Sequence, residues 1–167
     1  ITKLEHLLGE FALQLLVFGL VITPLRRLTS ISLLKFRRAI GLMAFTYVVL
    51  HLMVWILLDI KILSLMVSDI LKRPYITIGM VAFVGMLPLA VTSNQWFVKK
   101  LGRKWHHIHR FTYAICLLGA LHFVMLRKGF QLEPLIYLFA IIILLLLRLV
   151  PNVQKKGSLK KALCNKV

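Results

Sequence analysis

Long apolar segments separated by short polar ones dominate this chain. A helix that crosses a bilayer needs roughly 20 apolar residues, with a range of about 17 to 25. Five segments meet this length, the last only marginally, and none alternates as barrel strands do. The pattern predicts an all-α integral membrane protein, a helical bundle of five transmembrane helices. The predicted spans are 7–25, 39–58, 75–93, 108–126 and 135–150.

The composition supports a membrane protein. Hydrophobic residues make up 60% of the 167 positions and charged residues only 16%, whereas a soluble domain carries about a quarter. The net charge of +17 does not indicate nucleic-acid binding, because the basic residues lie in short loops beside the spans. We divide the chain into a membrane domain, 1–150, and a basic tail, 151–167. The first residue is not Met, which suggests a fragment that lacks an N-terminal helix.

Basic residues follow the first, third and fifth spans, and these regions contain no acidic residue. Since Lys and Arg mark the cytoplasmic side, the sequence predicts a multi-pass protein with its C-terminus in the cytoplasm. The five acidic residues lie on or near the opposite side: Glu5, Glu10, Asp59, Asp69 and Glu133. Segment 60–70, also on that side, is either a short interfacial helix where an electron-accepting partner docks or a plain connecting loop.

Two histidines lie deep inside predicted spans, His51 in the second and His122 in the fourth. Both are about thirteen residues from the basic side, so they are expected at one depth. An imidazole is costly to bury in hydrocarbon and is the commonest metal ligand. Tyr47 and Trp55 lie one turn from His51, and Gly119 lies one turn from His122, where a small residue would admit a flat macrocycle. We predict that the two histidines bind a haem iron from facing helices.

Two other roles exist for intramembrane histidines. Either one can be structural, hydrogen-bonded across the bundle or to a backbone carbonyl. A proton relay would require carboxylate partners, and neither span contains one. Two histidines at one depth on different spans favour the metal site over both.

A second histidine site is predicted near the basic side. His109 precedes His122 by thirteen residues, about 19 Å along a helix, which suits a second haem. Thirteen residues fall about 140° short of a whole turn, so a bend, a π-bulge or a different ring approach is needed. Arg37 precedes His51 by fourteen residues, which returns nearly to the same helix face. Arg37 either binds a haem propionate or stands opposite His109, although a protonated guanidinium is a poor iron ligand.

The remaining candidates have ordinary interpretations. His106 and His107 are read as interfacial side chains near headgroups or propionates, and His6 as a flanking residue. Arg38 pairs with anionic lipid. Cys116 and Cys164 form no metal-binding pair and no disulfide framework.

An ordered set of short motifs carries a resemblance to a known family. They are RRAIGLMAFTYVVLHL at 37–52, KRPYITIG at 72–79, LAVTSN at 89–94, LGRKWHHIHRFTY at 101–113, ALH at 120–122 and PLIY at 134–137. From residue 14 to residue 148 the chain resembles the MsrQ (YedZ) family, the haem-binding membrane subunits of the periplasmic methionine sulfoxide reductase system. That family has six spans, so the resemblance implies one span before the first one visible here.

The resemblance implies a ferric-reductase-like domain of the bacterial inner membrane that carries one or two b-type haems, with FMN also reported for the family. Electrons would enter from a cytoplasmic flavin reductase or the quinone pool. They would leave to a periplasmic molybdopterin subunit that reduces methionine sulfoxide in oxidised proteins. The matching cofactor-binding positions are His51, His122, His109 and Arg37. The chain would be an electron-transfer subunit rather than the catalytic one.

Two alternatives stay open. One is a ferric-reductase or NADPH-oxidase-like subunit with another acceptor, although the residues after Arg148 contain no dehydrogenase pattern. The other is a haem-free transporter or assembly factor in which the histidines are structural. FMN has no support beyond the resemblance, because no phosphate-binding glycine loop is present.

Overall fold

The computed structural model describes residues 2–29, 32–60, 70–127 and 131–149, and these residues contain helices and no strand. A 3₁₀ turn, Leu34–Phe36, leads into the second helix, and a π-helical segment, Trp55–Ile60, follows it. The α-helices are α1 (Thr2–Thr29), α2 (Arg37–Val54), α3 (Pro74–Val91), α4 (Gln95–Leu101), α5 (Arg103–Leu126) and α6 (Leu132–Leu149).

The predicted fold class, an all-α membrane bundle, is confirmed. Within the described ranges, four helical segments are long and apolar enough to cross a bilayer: Lys3–Thr29, Leu34–Leu57, Pro74–Val91 and Arg103–Leu126. The predicted fifth span corresponds to α6. Residues 61–69, which make up most of the predicted interfacial segment, and the tail 151–167 lie outside the described residues.

Local signals explain why the chain turns sharply between α3 and α5. The Asn94 side chain accepts a 2.8 Å hydrogen bond from the backbone N–H of Phe97 and so caps the start of α4. Gly102 then ends α4 with a φ of 50°, a conformation that glycine adopts without steric cost. Helix α5 begins at the next residue, Arg103. The polar segment 103–107 is therefore part of the helix that carries both His109 and His122.

The bundle is organised around two antiparallel helix hairpins. The first pairs α1 with α2, and the second pairs α3 with α5. Helix α6 packs against α1 and α5, where the main apolar core lies. Small residues let the helices approach closely in this core, as is usual in membrane bundles. The core consists of Leu13, Leu20, Cys116, Ala120, Phe123 and Ile141.

Arginine side chains of α1 and α6 make contacts between helices at one end of the bundle. Arg148 Nη2 donates a 2.8 Å hydrogen bond to the backbone oxygen of Leu20, and its guanidinium lies 4.8 Å from the centroid of the Tyr113 ring. Arg27 Nη1 donates to the backbone oxygen of Leu147 at 3.1 Å. These contacts join the end of α1 to the end of α6 on the side that the sequence assigns to the cytoplasm.

We expect Ile141→Ala to destabilise the bundle by about 2 kcal/mol. This is the low end of the range for such substitutions, because in lipid the cost is mainly the cavity that remains and not a transfer from water. Ile141 is fully buried, whereas Ile143 in the same helix is 55% exposed. Ile143→Ala is therefore the matched control. Reversible unfolding in mixed micelles measures both, and equal losses for the two variants would contradict the assigned core.

Candidate metal centre and the adjoining cavity

His51 and His122 lie opposite each other between the two hairpins. Their ring centroids are 6.4 Å apart, and the ring planes are inclined at 80°. Both side chains line one cavity of about 280 Å³, which we call the His51–His122 cavity. The structure therefore brings together the two histidines that the sequence pairs by depth.

Each imidazole is held by a backbone carbonyl of the partner helix in its hairpin. His51 Nδ1 lies 2.8 Å from the backbone oxygen of Glu5 in α1, and His122 Nδ1 lies 2.7 Å from that of Tyr75 in α3. A carbonyl oxygen only accepts, so in both rings Nδ1 carries the hydrogen and donates it. The neutral ring then has its lone pair on Nε2. Among the described residues no group hydrogen-bonds to either Nε2, which leaves both nitrogens available to a ligand.

The spacing of the two rings fits a single metal ion between them. Two imidazoles bound on opposite sides of one ion have centroids about 6 Å apart, because each nitrogen–metal bond is about 2 Å long and each ring adds about 1 Å. No cluster of three or more His, Cys, Asp or Glu side chains occurs among the described residues. An ion held by these two imidazoles alone would have further coordination positions open, and the four nitrogens of a tetrapyrrole would fill them.

Polar side chains also line this cavity at the end of α1. His6 lines it, and its Nδ1 is buried without a hydrogen-bond partner. Glu10 accepts a 3.1 Å hydrogen bond from Gln14 Nε2, which lies 3.0 Å from the hydroxyl of Tyr137 in α6. Reading His6 as a mere flanking residue misses its position in the cavity, since the sequence alone does not show how far α1 extends before its apolar run.

The small and aromatic residues expected beside the histidines are only partly those that the structure places there. Trp55 and Gly119 line the His51–His122 cavity, as the sequence suggests. Tyr47 does not line it and packs instead against Phe11, with centroids 5.9 Å apart. Two glycines of the neighbouring helices also lie beside the imidazoles, Gly9 beside His51 and Gly79 beside His122.

His109 lies in a second cavity of about 530 Å³, the His109 cavity. Arg37 lines the same cavity, as the helix-face argument predicts, and so do Arg38 and Arg110. Among the residues that the structure describes, no acidic one lines it. The His109 cavity therefore has the charge to receive an anionic group.

His109 itself is held differently from the other two histidines. Its ring stacks on Trp105 with centroids 3.9 Å apart, and its Nε2 lies 3.2 Å from the hydroxyl oxygen of Thr92. That hydroxyl lies 2.6 Å from the backbone oxygen of Pro88, to which it donates. The hydroxyl oxygen thus accepts from His109 Nε2, and the lone pair is on Nδ1. Binding of a metal through Nε2 would require this bond to break.

The geometry of α5 decides how His109 and His122 relate. The helix is continuous from Arg103 to Leu126, with no π-bulge between the two histidines. The π-helical segment of this fold follows His51 instead. The two rings therefore enter different cavities from different faces of α5. The thirteen-residue spacing, which is about 140° short of a whole turn, is thus accommodated by the different directions of the rings and not by a break in the helix.

The two cavities adjoin each other. Leu16, Met86 and Ile115 line both of them, so an apolar partition one side chain thick separates them. Phe45 lines the His109 cavity and Phe83 the His51–His122 cavity, and their rings stack in parallel with centroids 6.2 Å apart. A continuous apolar and aromatic contact thus joins one cavity to the other.

Comparison with known proteins gives a consistent result. Residues 8–120 match a family described as the ferric reductase like transmembrane component. The chain is 44% identical over 164 residues to a protein-methionine-sulfoxide reductase heme-binding subunit MsrQ of Agrobacterium fabrum, covering 97% of this chain and 76% of the relative. The chain belongs to the MsrQ family. An MsrQ protein of Brucella anthropi is 44% identical, over 96% of this chain and 74% of the relative, and one of Rhizobium meliloti is 46% identical, over 90% and 70%.

Family membership confirms the resemblance carried by the sequence motifs and makes this a multi-pass membrane protein. The ferric-reductase-like match includes Arg37, His51 and His109 and ends two residues before His122, whereas the match to the MsrQ protein of Agrobacterium fabrum covers nearly the whole chain. No solved structure matches the chain.

Proposed function

We propose that this chain is a membrane b-type cytochrome that passes electrons across the bacterial inner membrane to a periplasmic methionine sulfoxide reductase subunit. The observation that carries the proposal is the pair of imidazoles 6.4 Å apart, each with Nδ1 bound to a carbonyl and Nε2 free. The names of the relatives, which describe heme-binding subunits, support haem as the group between them.

In this proposal His51 and His122 would hold the haem iron. A haem bound there would supply one-electron redox chemistry. The chain itself supplies ligand orientation through the carbonyls of Glu5 and Tyr75, which raise the basicity of the bound imidazoles. The apolar lining of the cavity limits access of water, and this also influences the reduction potential.

The His109 cavity is the proposed site of a second haem, on the side where electrons enter. His109 is its candidate ligand, and Arg37 is suited to hold a propionate because a guanidinium binds carboxylate through two parallel hydrogen bonds. The stacked rings of Phe45 and Phe83 support passage of electrons between the two cavities. The two sites, about 19 Å apart by position along α5, would bridge most of a hydrocarbon core about 30 Å thick.

The proposed partners follow from the family. The donor is a cytoplasmic flavin reductase or the quinone pool, and the acceptor is a periplasmic subunit with a molybdopterin cofactor that repairs oxidised proteins. The C-terminus lies in the cytoplasm in this arrangement, as the basic loops indicate. The chain transfers electrons and leaves the substrate chemistry to its partner. FMN is a further proposed cofactor, which rests on the family resemblance alone.

Haem content and electron delivery test the proposal together. We expect the purified protein to give a pyridine haemochrome and a reduced-minus-oxidised spectrum of a low-spin b-type haem. A catalytic amount of the molybdopterin subunit should reoxidise the reduced protein completely only when methionine sulfoxide is present. Absence of haem from the purified chain would overturn the proposal.

The match to the ferric-reductase-like family favours one alternative, a transmembrane electron-transfer subunit with a different acceptor. In that case the reduced protein would be reoxidised by a ferric chelate as fast without the molybdopterin subunit as with it. The same reoxidation assay therefore separates the two functions.

A further inference from the structure

The same local arrangement holds both central imidazoles. The carbonyl that accepts from His51 belongs to Glu5, and the carbonyl that accepts from His122 belongs to Tyr75. Four residues after each carbonyl comes a glycine, Gly9 in α1 and Gly79 in α3. In an α-helix the carbonyl of residue i accepts the N–H of residue i+4. Each histidine therefore packs against one turn of the neighbouring helix. The carbonyl that accepts from its Nδ1 also accepts from the backbone N–H of a glycine.

The absence of a Cβ atom makes this insertion sterically feasible. A Cβ on Gly79 would lie 2.8 Å from His122 Nδ1 and 2.9 Å from its Cε1. A Cβ on Gly9 would lie 3.2 Å from His51 Nδ1 and 3.3 Å from its Cε1. Both distances at Gly79 are shorter than real Cβ contacts, and both distances at Gly9 are tighter than most of them. A Cβ at position 79 would therefore force the His122 imidazole to shift, whereas one at position 9 would displace the His51 imidazole by a few tenths of an ångström.

The consequence concerns the nitrogen on the other side of each ring. The hydrogen bond at Nδ1 fixes the tautomer and the ring rotation, and both determine where the Nε2 lone pair points. The two rings belong to different hairpins, so each one needs its own support to face the other across the cavity.

We propose that Gly9 and Gly79 are positioning residues for the two axial ligands. They admit each imidazole to a backbone carbonyl and so set the direction and basicity of Nε2. This inference rests on the proposed haem between His51 and His122. Neither glycine would touch the iron, since both act through the histidine that packs on them.

The test compares Gly79→Ala and Gly9→Ala with Gly19→Ala, the matched control in α1. Among the described residues a Cβ at Gly19 would meet Ile40 alone, at 3.8 Å, which is an ordinary contact. Because Gly19 lines the His109 cavity, the comparison uses the signals of the His51–His122 haem. All three substitutions replace a helical glycine by a better helix former, so a general effect on helix stability is shared. Electron paramagnetic resonance and absorption spectra of the purified proteins give the low-spin fraction per bound haem, and redox titration gives the midpoint potential.

We expect Gly79→Ala to lower the low-spin fraction of the His51–His122 haem at least twofold, with a high-spin signal in its place. The potential of the remaining haem should rise, because an imidazole with a weaker Nδ1 hydrogen bond is a weaker donor to ferric iron. Gly9→Ala should change both quantities in the same direction by less, and Gly19→Ala should leave them as in the unmodified protein. If Gly79→Ala fails to fold, the smaller change expected for Gly9→Ala still tests the inference.

Two results would overturn the inference. If the unmodified protein shows a bis-histidine haem and both alanine variants keep its low-spin fraction and potential, the positioning role is wrong while the proposed function stands. If the unmodified protein binds no haem, the proposed function and the positioning role both fail.

Discussion

His122→Ala is expected to abolish the low-spin spectrum of the haem between the two hairpins. An alanine supplies no nitrogen ligand, so the imidazole of His51 would hold the proposed haem from one side only. His51→Ala should give the same loss, because the two rings hold opposite sides of one site. Purified variants examined by electron paramagnetic resonance and by pyridine haemochrome give the spin state and the haem content separately.

The control for this pair is His107→Ala. His107 is exposed, and its Nδ1 lies 3.2 Å from the backbone oxygen of Arg103 in its own helix, so its removal should leave the spectrum unchanged. Retention of the complete bis-histidine signal in His122→Ala would refute the assignment of that residue as a ligand. A parallel loss in His107→Ala would indicate a general loss of structure instead of a ligand effect.

His109→Ala is expected to eliminate the second haem and to block reduction of the first from the cytoplasmic side. The low-spin signal of the haem at His51 and His122 should persist, since an apolar partition separates the two cavities. Reduction by a flavin reductase should fall at least tenfold, whereas dithionite should still reduce the remaining haem. Stopped-flow absorption measures both rates.

Thr92→Val distinguishes a ligand role for His109 from a structural one. Valine removes the hydroxyl that lies 3.2 Å from His109 Nε2 but leaves the stacking of the imidazole on Trp105. If His109 binds iron through Nε2, this variant keeps the second haem, because the competing hydrogen bond is gone. Loss of the second haem in Thr92→Val, together with its retention in His109→Ala, would show that the Thr92–His109 bond is structural and that His109 is not a ligand.

Most of the bundle could be predicted from the sequence, because bilayer thickness imposes a length on each apolar segment. The predicted spans correspond to α1, α2, α3, α5 and α6. The ends of the helices were harder to predict from the sequence. Residues 103–107 are basic and polar, which gives no apolar signal, yet they form the first turns of α5. Helix α4 was not predicted, since its seven residues are fewer than a span requires and its start depends on the Asn94 cap.

The candidate site could be predicted where residue counting along a helix was sufficient. Depth alone paired His51 with His122, and helix phase associated Arg37 with His109. The carbonyls that hold the imidazoles could not be predicted from the sequence. Glu5 and Tyr75 contribute only backbone oxygens, and they lie 46 and 47 residues from their histidines. A glycine at position 9 or 79 in an apolar run carries no signal of its own until the packing of α1 on α2 and of α3 on α5 is known.

The separations of 46 and 47 residues between each histidine and its carbonyl show that each imidazole is bound within its own hairpin. Each hairpin holds one imidazole on a carbonyl of its own partner helix, so each hairpin contributes one half of the candidate site. Contacts between the hairpins are much sparser than contacts within them. A group bound by both histidines therefore adds its binding free energy to the contact between the two hairpins. Binding of the proposed haem would therefore also strengthen the assembly of the two hairpins into one bundle.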